Sequence, residues 1–196
     1  VGSICLYSNT TGSHNHALGR YALRYNTTGT YNAAFGYASL ENNTTASYNT
    51  AYGGTALRGN TTGANNTAIG YAALGGNGNQ NVAVGTQAME SNTSAGSCVA
   101  VGYQAMAANT TGVNNVALGW GCLKTNTTGD RNVAIGVLAL DVSTTAQYNI
   151  GIGNDALGSC TTGSDNIAIG INAMAANTTA TEVVWFFPIS AGSTSM

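Results

Sequence analysis

Residues 132–140 read Asn-Val-Ala-Ile-Gly-Val-Leu-Ala-Leu, and variants of this stretch recur along almost the whole chain. Aligned on the central glycine, the copies give eleven repeats. Successive glycines are 17 residues apart, except for one step of 15 caused by a deletion in the turn at residues 75–78. A short, fixed period predicts a repeat architecture in which each unit packs on the next. The aligned glycines are Gly2, Gly19, Gly36, Gly53, Gly70, Gly85, Gly102, Gly119, Gly136, Gly153 and Gly170.

Each repeat divides into two short extended stretches and a turn. Residues 132–136 alternate larger apolar with small residues, which is the periodicity of a strand, and the apolar pair Ala139-Leu140 follows. Residues 109–112, Asn-Thr-Thr-Gly, have the composition of a turn. Seventeen residues cannot form a core alone, so the sequence predicts an all-β fold, a parallel β-solenoid or β-roll of eleven 17-residue repeats over residues 1–182. With coils about 4.8 Å apart, the rod is roughly 50 Å long.

Stacking turns every repeat position into a column of equivalent residues. We expect the columns that contain Ile135 and Leu140 to face the interior of the coil, and the column of small residues that contains Ala134 to lie on the opposite face. Small residues there suggest close packing against another chain, although a tight inner bend within one chain would give the same pattern. The column of Val133 changes from polar residues near the N terminus to Val and Ile further on. This change predicts a more apolar core, and greater stability, in the C-terminal two-thirds of the array.

The repeat pattern ends near Glu182. Bulky residues then replace the small ones, and Pro188 follows them. We interpret residues 183–196 as a cap or a subunit-docking segment, because a β-prone segment at the end of a stack either closes it or pairs with another subunit. The residues predicted to dock are Val183, Val184, Trp185, Phe186 and Phe187.

Charge is scarce in this chain. Of its 196 residues 6 % are charged, against about 25 % in an ordinary globular domain. Regularly placed hydrophobic residues make up 43 %, which argues against disorder. The net charge of −2 and the scattered basic residues give no reason to expect a nucleic-acid partner.

No apolar run is long enough to predict a membrane span. The chain starts without Met and within a repeat, so we expect a mature product or a piece of a longer protein.

The repeat resembles those of tail-fibre-type proteins of phages, large viruses and bacteria, with the consensus N-T-A-I-G-Y-x-A-L-x-x-N-T-T-G. Residues 66–74, Asn-Thr-Ala-Ile-Gly-Tyr-Ala-Ala-Leu, nearly match that text. More distantly, the repeat is similar to the head repeats of trimeric autotransporter adhesins, which are shorter. The resemblance covers residues 1–182. It implies a β-roll fibre, often a homotrimer, that is extracellular and serves attachment as a virion fibre or a cell-surface appendage.

The tripeptide Asn-x-Ser/Thr recurs in the predicted turns. Such a tripeptide in an exposed turn is a candidate acceptor of an N-linked glycan. The alternative interpretation, which we favour, is a ladder of asparagines that satisfies the backbone of the turns. The candidate acceptors are Asn9, Asn26, Asn43, Asn60, Asn92, Asn109, Asn126 and Asn177.

Four aromatic residues share the position after the aligned glycine: Tyr37, Tyr71, Tyr103 and Trp120. An exposed line of rings is a candidate surface for stacking on sugars. Scattered surface or interface aromatics are the commoner explanation.

The four cysteines have no zinc-ligand spacing, and we interpret them as small substitutes within the repeat.

We predict no catalytic residue, metal site or cofactor, since the seven acidic residues occupy different repeat positions. The function that the sequence favours is a structural fibre or filament subunit whose main partner is itself, and not an enzyme. Two alternatives stay open. One is a filament that polymerises end to end through residues 183–187; the other is a module that binds a glycan or a receptor on a host surface.

Overall fold

Each repeat contributes one strand of three residues, and the eleven strands stack in chain order into one parallel sheet. The computed structural model describes residues 2–186. Equivalent residues of successive repeats lie opposite each other, as Val133 does to Ile150. The predicted all-β parallel solenoid with a 17-residue repeat is confirmed. The strands are β1 (His16–Leu18), β2 (Ala33–Phe35), β3 (Thr50–Tyr52), β4 (Thr67–Ile69), β5 (Val82–Val84), β6 (Val99–Val101), β7 (Val116–Leu118), β8 (Val133–Ile135), β9 (Ile150–Ile152), β10 (Ile167–Ile169) and β11 (Val184–Phe186).

Three corners with left-handed backbone close each coil. In the coil after β8 they lie at Leu138, Leu140 and Tyr148, with φ of 56°, 54° and 57°. Such a corner costs a non-glycine residue roughly 1–2 kcal/mol. The cost is offset because each corner N–H donates to a neighbouring coil; the N–H of Leu140 donates to the carbonyl of Ala156 at 3.0 Å. The second predicted extended stretch, at residues 139–140, is therefore wrong, since it forms a corner.

The aligned glycines lie where the chain leaves each strand. Gly102 has φ +135°, and a Cβ there would lie 2.3 Å from the carbonyl oxygen of Gly119 on the next coil. Both the backbone angle and the close approach exclude a side chain. The same conflict recurs along the glycine column from Gly2 to Gly153, and this explains the position of glycine in these repeats.

We expect Gly102→Ala to lower the free energy of unfolding by about 2 kcal/mol or more, because the new Cβ meets backbone that cannot move aside. Gly54→Ala is the matched control. A Cβ at Gly54 meets only the ring of Tyr71, at 3.5 Å, so the control should range from no change to a gain of about 1 kcal/mol. Urea unfolding followed by circular dichroism measures both, and equal losses would contradict the role assigned to the glycine column.

The interior of the coil is built from small residues. Ala134 and its equivalents in β2–β8 and β10 are fully buried, while the larger residues on either side of them are not. The prediction that the column of Ile135 faces the interior was therefore wrong. The two faces of the strand are thus exchanged, so the alanine column packs closely within its own chain, as in the second interpretation, and does not contact another chain.

One large side chain per coil fills the interior. The predicted leucine column is confirmed as the source of this side chain. The members of the column that follow strands β1 to β9 in the chain are 0 % exposed. A coil of 17 residues is too narrow to hold a second branched side chain from the strand opposite, so alanine occupies that place. The buried members of the leucine column are Leu23, Leu40, Leu57, Leu74, Met89, Met106, Leu123, Leu140 and Leu157.

Two ladders of asparagines complete the interior. In one ladder, the carboxamide Oδ1 of Asn115 accepts from the backbone N–H of Asn132 at 2.8 Å, and its Nδ2 donates to the carbonyl of Gly129 at 2.7 Å. In the other, Nδ2 of Asn126 donates both to Asn109 Oδ1 at 2.8 Å and to Gly129 at 3.0 Å. The side chains thus pair backbone groups that the irregular part of the coil leaves without a partner.

Asn115→Ala should lower the free energy of unfolding by roughly 1–3 kcal/mol, because it leaves the buried N–H of Asn132 unpaired and removes one of the two donors to the carbonyl of Gly129. Asn115→Cys should cost clearly less. Cys98 occupies this ladder position in the preceding repeat, where its thiol donates to the carbonyl of Gly112 at 3.4 Å. Urea denaturation compares the two variants. An alanine variant with wild-type stability would contradict the role of the carboxamide contacts. A cysteine variant as unstable as the alanine variant would show that the thiol does not replace the carboxamide as a donor.

The short repeat keeps the register of the sheet. Asn77 replaces a missing backbone acceptor, since its Oδ1 accepts from the N–H groups of Thr61 and Thr62 at 2.6 Å and 3.1 Å. In the regular repeats a threonine carbonyl accepts these bonds, as the carbonyl of Thr44 does for Thr27 at 2.8 Å. The deletion is therefore absorbed in one turn, and β4 and β5 pair without a shift.

Candidate association surface

The first and third residues of each strand point away from the interior and form two parallel rows, which we call the outer stripe. The burial pattern of β8 shows the arrangement, with Val133 and Ile135 partly exposed on either side of buried Ala134. Ten inter-strand steps of about 4.8 Å give the stripe a length of roughly 50 Å. Its members are His16, Leu18, Ala33, Phe35, Thr50, Tyr52, Thr67, Ile69, Val82, Val84, Val99, Val101, Val116, Leu118, Val133, Ile135, Ile150, Ile152, Ile167, Ile169, Val184 and Phe186.

From β5 onwards every residue of the outer stripe is Val, Leu, Ile or Phe. Val101 and Ile169 are each 37 % exposed. Neighbours on the coils above and below cover the flanks of these side chains, so only their tips face outwards. A contiguous apolar surface of several hundred Å² is uncommon on a monomer and is typical of an interaction site.

The first four strands carry a more polar and more aromatic stripe. One row starts with His16 and includes Thr50 and Thr67, while the other contains Phe35 and Tyr52, whose ring centroids are 5.9 Å apart. The change to Val and Ile further along the chain therefore lies on the surface. It does not support the prediction of a more apolar core in the C-terminal part, because the interior has the same composition throughout.

Most of the candidate glycan acceptors lie in a buried asparagine ladder. Asn26 is fully buried, and its Nδ2 donates to Asn9 Oδ1 and to the carbonyl of Gly29. A glycan on such a nitrogen would have no path to solvent in the folded chain. Burial favours the asparagine-ladder interpretation, while glycosylation stays a prediction, at Asn26, Asn43, Asn60, Asn92, Asn109 and Asn126. Asn9 and Asn177 are partly exposed, and there glycosylation stays a prediction.

The line of aromatic residues is on the surface. Tyr37, Tyr71, Tyr103 and Trp120 are between 45 % and 60 % exposed and occupy one column beside the outer stripe. A second aromatic column contains Tyr31 and Tyr48. Their rings stack on each other, with centroids 5.2 Å apart and an interplanar angle of 4°.

The predicted docking segment begins as a regular strand. Val184, Trp185 and Phe186 form β11 and pair in register with β10, so the sheet continues four residues past the predicted end of the array at residue 182. Val183 is partly exposed, and each side chain of β11 is at least half exposed. Phe187 lies outside the described residues.

An ion cluster forms where the sequence suggested only scattered charges. Glu41 accepts from Arg58 Nε at 2.9 Å and lies 3.7 Å from Arg24 Nη1. The three residues occupy the same position in successive repeats. Stacking brings equivalent residues of successive repeats into contact. The alternation of positive and negative residues along this column was therefore the sequence signal that could have predicted the cluster. Because Arg58 is largely exposed, the pair contributes at most about 1 kcal/mol.

Two acidic side chains also interact across coils, although they occupy different repeat positions. Burial raises the pKa of Asp141, and the carboxylate of Asp155 on the next coil raises it further, while Lys124 acts in the opposite direction.

Three cysteines are buried small residues of the interior, and none of the four forms a disulfide. Burial raises the pKa of the Cys98 and Cys160 thiols, and it raises the pKa of Cys122 to about 12. The reactive species is the thiolate, so these thiols are doubly protected, by lack of access and by lack of ionisation.

Iodoacetamide at pH 8 should therefore add at most one adduct to the folded chain, at partly exposed Cys5, and four adducts after unfolding in guanidinium chloride. Intact-protein mass spectrometry counts the adducts. Rapid labelling of Cys98, Cys122 or Cys160 in the folded chain would show that the interior opens, contrary to the packing described above.

Among residues 2–186 there is no group of three His, Cys, Asp or Glu side chains that could hold a metal ion. The described part of the chain also contains no helix with the length and apolar character that crossing a membrane requires. No protein-family model, curated protein or solved structure matches the chain. The surfaces of the solenoid are therefore the basis for a functional proposal.

Proposed function

We propose that this chain is a structural subunit of a fibre, in which copies associate side by side through the outer stripe. The observation that carries the proposal is the continuous apolar surface along the strands from β5 to β11. A solenoid repeat fold is typical of structural proteins, because each coil contacts only its neighbours and the array forms a stiff rod.

A second copy of the chain fits the outer stripe better than an unrelated partner does. The stripe residues recur at every coil, about 4.8 Å apart, and a second copy has the same spacing along its whole length. Side chains of one copy can therefore lie between those of the other. Burial of apolar surface contributes roughly 25 cal/mol per Å², and this gain must exceed the roughly 4–15 kcal/mol that association costs.

The gradient along the stripe favours copies that run in the same direction. In a parallel arrangement, the polar residues His16, Thr50 and Thr67 of one copy meet their equivalents, and the Val and Ile rows of β5–β11 meet each other. In an antiparallel pair, part of the Val and Ile surface would be covered by the polar end. Parallel copies around a common axis form a closed cyclic assembly, and three chains are the number that the resemblance to fibre proteins implies.

The resemblance is also what supports the biological setting of the proposal. It favours an extracellular location, as part of a virion fibre or a cell-surface appendage, and a role in attachment. Low charge and interlocked coils suit a rigid shaft exposed to proteases, since the chain offers few flexible loops.

Ile135→Asp tests the association surface. The side chain lies on the outer stripe, so the isolated coil should tolerate the change, whereas an assembly would have to bury an unpaired carboxylate on every chain. We expect the dissociation constant to rise at least 100-fold and the mass from light scattering to fall to that of one chain. Thr111→Asp is the matched control, since it adds the same charge at an exposed turn residue outside the stripe.

The outcomes separate the candidate functions. A discrete wild-type mass of three chains that only Ile135→Asp disrupts supports the fibre shaft. A wild-type protein that is monomeric at high micromolar concentration contradicts side-by-side association. Long filaments of indefinite mass that persist in Ile135→Asp would instead favour end-to-end polymerisation through residues 183–187, and negative-stain imaging detects them directly.

A further inference from the structure

We propose that the column of Tyr37, Tyr71, Tyr103 and Trp120 binds a linear, uncharged polysaccharide of β-1,4-linked hexopyranoses. We call these four residues the aromatic column. The inference goes beyond the proposed fibre and does not depend on it, because the column lies beside the outer stripe. It rests on three features of the structure, namely the register of the column, its spacing and the exposure of its rings.

Backbone hydrogen bonds hold the aromatic column in register. The carbonyl of Tyr71 accepts from the N–H of Gln87 on the next coil at 2.9 Å, and the carbonyl of Tyr103 accepts from Gly121 at 3.0 Å. The same bond recurs at each coil between these residues, including the short repeat. The rings are therefore carried on a rigid ladder whose steps equal the spacing of the coils.

The first three rings are two coils apart. Gly54 lies between Tyr37 and Tyr71, and Thr86 lies between Tyr71 and Tyr103. Two steps of the ladder place successive rings about 9.6 Å apart. The small residues between them leave room for the rings to spread over the surface, and Cδ2 of Tyr71 lies 3.5 Å from the position that a Cβ of Gly54 would take. Trp120 follows Tyr103 directly and widens the end of the column.

This spacing matches the repeat of an extended β-1,4-linked sugar chain. In such a chain alternate sugars face the same way, so the same pyranose face recurs once per disaccharide, a distance close to two coils of this solenoid. The apolar C–H face of a pyranose packs on an aromatic ring, while the tyrosine hydroxyl can bond to sugar hydroxyls. The slight negative charge of the protein favours an uncharged polymer over an anionic one.

The second aromatic column shows the contrast. The rings of Tyr31 and Tyr48 occupy neighbouring coils and stack on each other, so each ring covers a face of the next. Tyr48 is 59 % exposed, similar to Tyr71, but one face of its ring is covered by Tyr31. Exposure alone does not therefore distinguish the two columns, whereas the two-coil spacing does.

A register swap tests the proposal. The double variant Gly54→Tyr with Tyr71→Gly keeps the number of rings but moves one ring by a single coil, and no left-handed φ or backbone clash opposes a side chain at Gly54. Titration calorimetry with cellohexaose and with chitohexaose should show binding to the wild-type protein, and the swap should weaken the affinity at least tenfold. Tyr48→Ala is the control and should bind as the wild type does. Maltohexaose, whose α-1,4 links coil the chain, should bind to none of them.

Each result either supports or overturns the inference. The hexasaccharide that binds more tightly identifies the polymer as a glucan or an N-acetylated glucan. Absence of binding to both by the wild type overturns the proposal, and so does equal affinity of the wild type and the swap. If the swap changes the mass in light scattering and leaves sugar binding unaffected, the aromatic column belongs to the association surface and the proposal fails. Circular dichroism confirms that the variants fold.

Discussion

The narrow interior of the coil is the constraint on which the rest of the structure depends. Seventeen residues with three corners enclose room for one large side chain, which Leu140 provides in its coil, and the strand opposite can contribute only Ala134. The remaining inner positions are filled by asparagines, whose carboxamides pair with backbone groups of the next coil. Since many of these inner contacts reach to a neighbouring coil, each coil depends on the stack, and the sequence repeats with the period of the stack.

The same constraint determines what the surface carries. A strand of three residues has only two faces, so the alanine inside forces its larger neighbours outside. Branched side chains suit the exposed positions because they are well accommodated on a pleated sheet. The molecule therefore combines an interior of small and polar residues with an exterior rich in Val and Ile. This inversion of the usual distribution has a physical explanation if the exterior is itself covered by another copy of the chain.

Some features of this structure are predictable from the sequence and others are not, and particular residues show why. The period of 17, the parallel stack and the leucine column were predictable, because repetition and alternation are explicit in the sequence. The side of the strand that faces inwards was not, since Val133 and Ile135 share one face under either assignment, and size favours the wrong one. The left-handed corner at Leu140 was also unpredictable, because leucine gives no local signal for positive φ. Glu41 with its two arginines could have been found by comparing equivalent positions between repeats.

A solenoid has one further property that follows from its ladder of backbone hydrogen bonds. Side chains at equivalent positions of the repeats lie at multiples of about 4.8 Å along the solenoid. The scaffold that carries them is too rigid to adapt this spacing. Recognition by such a surface selects for partners that are themselves periodic. A period of one coil matches a parallel copy of the same chain, as on the outer stripe. A period of two coils, which Gly54 and Thr86 create by separating aromatic rings, matches a linear polymer whose own repeat is about twice the strand spacing.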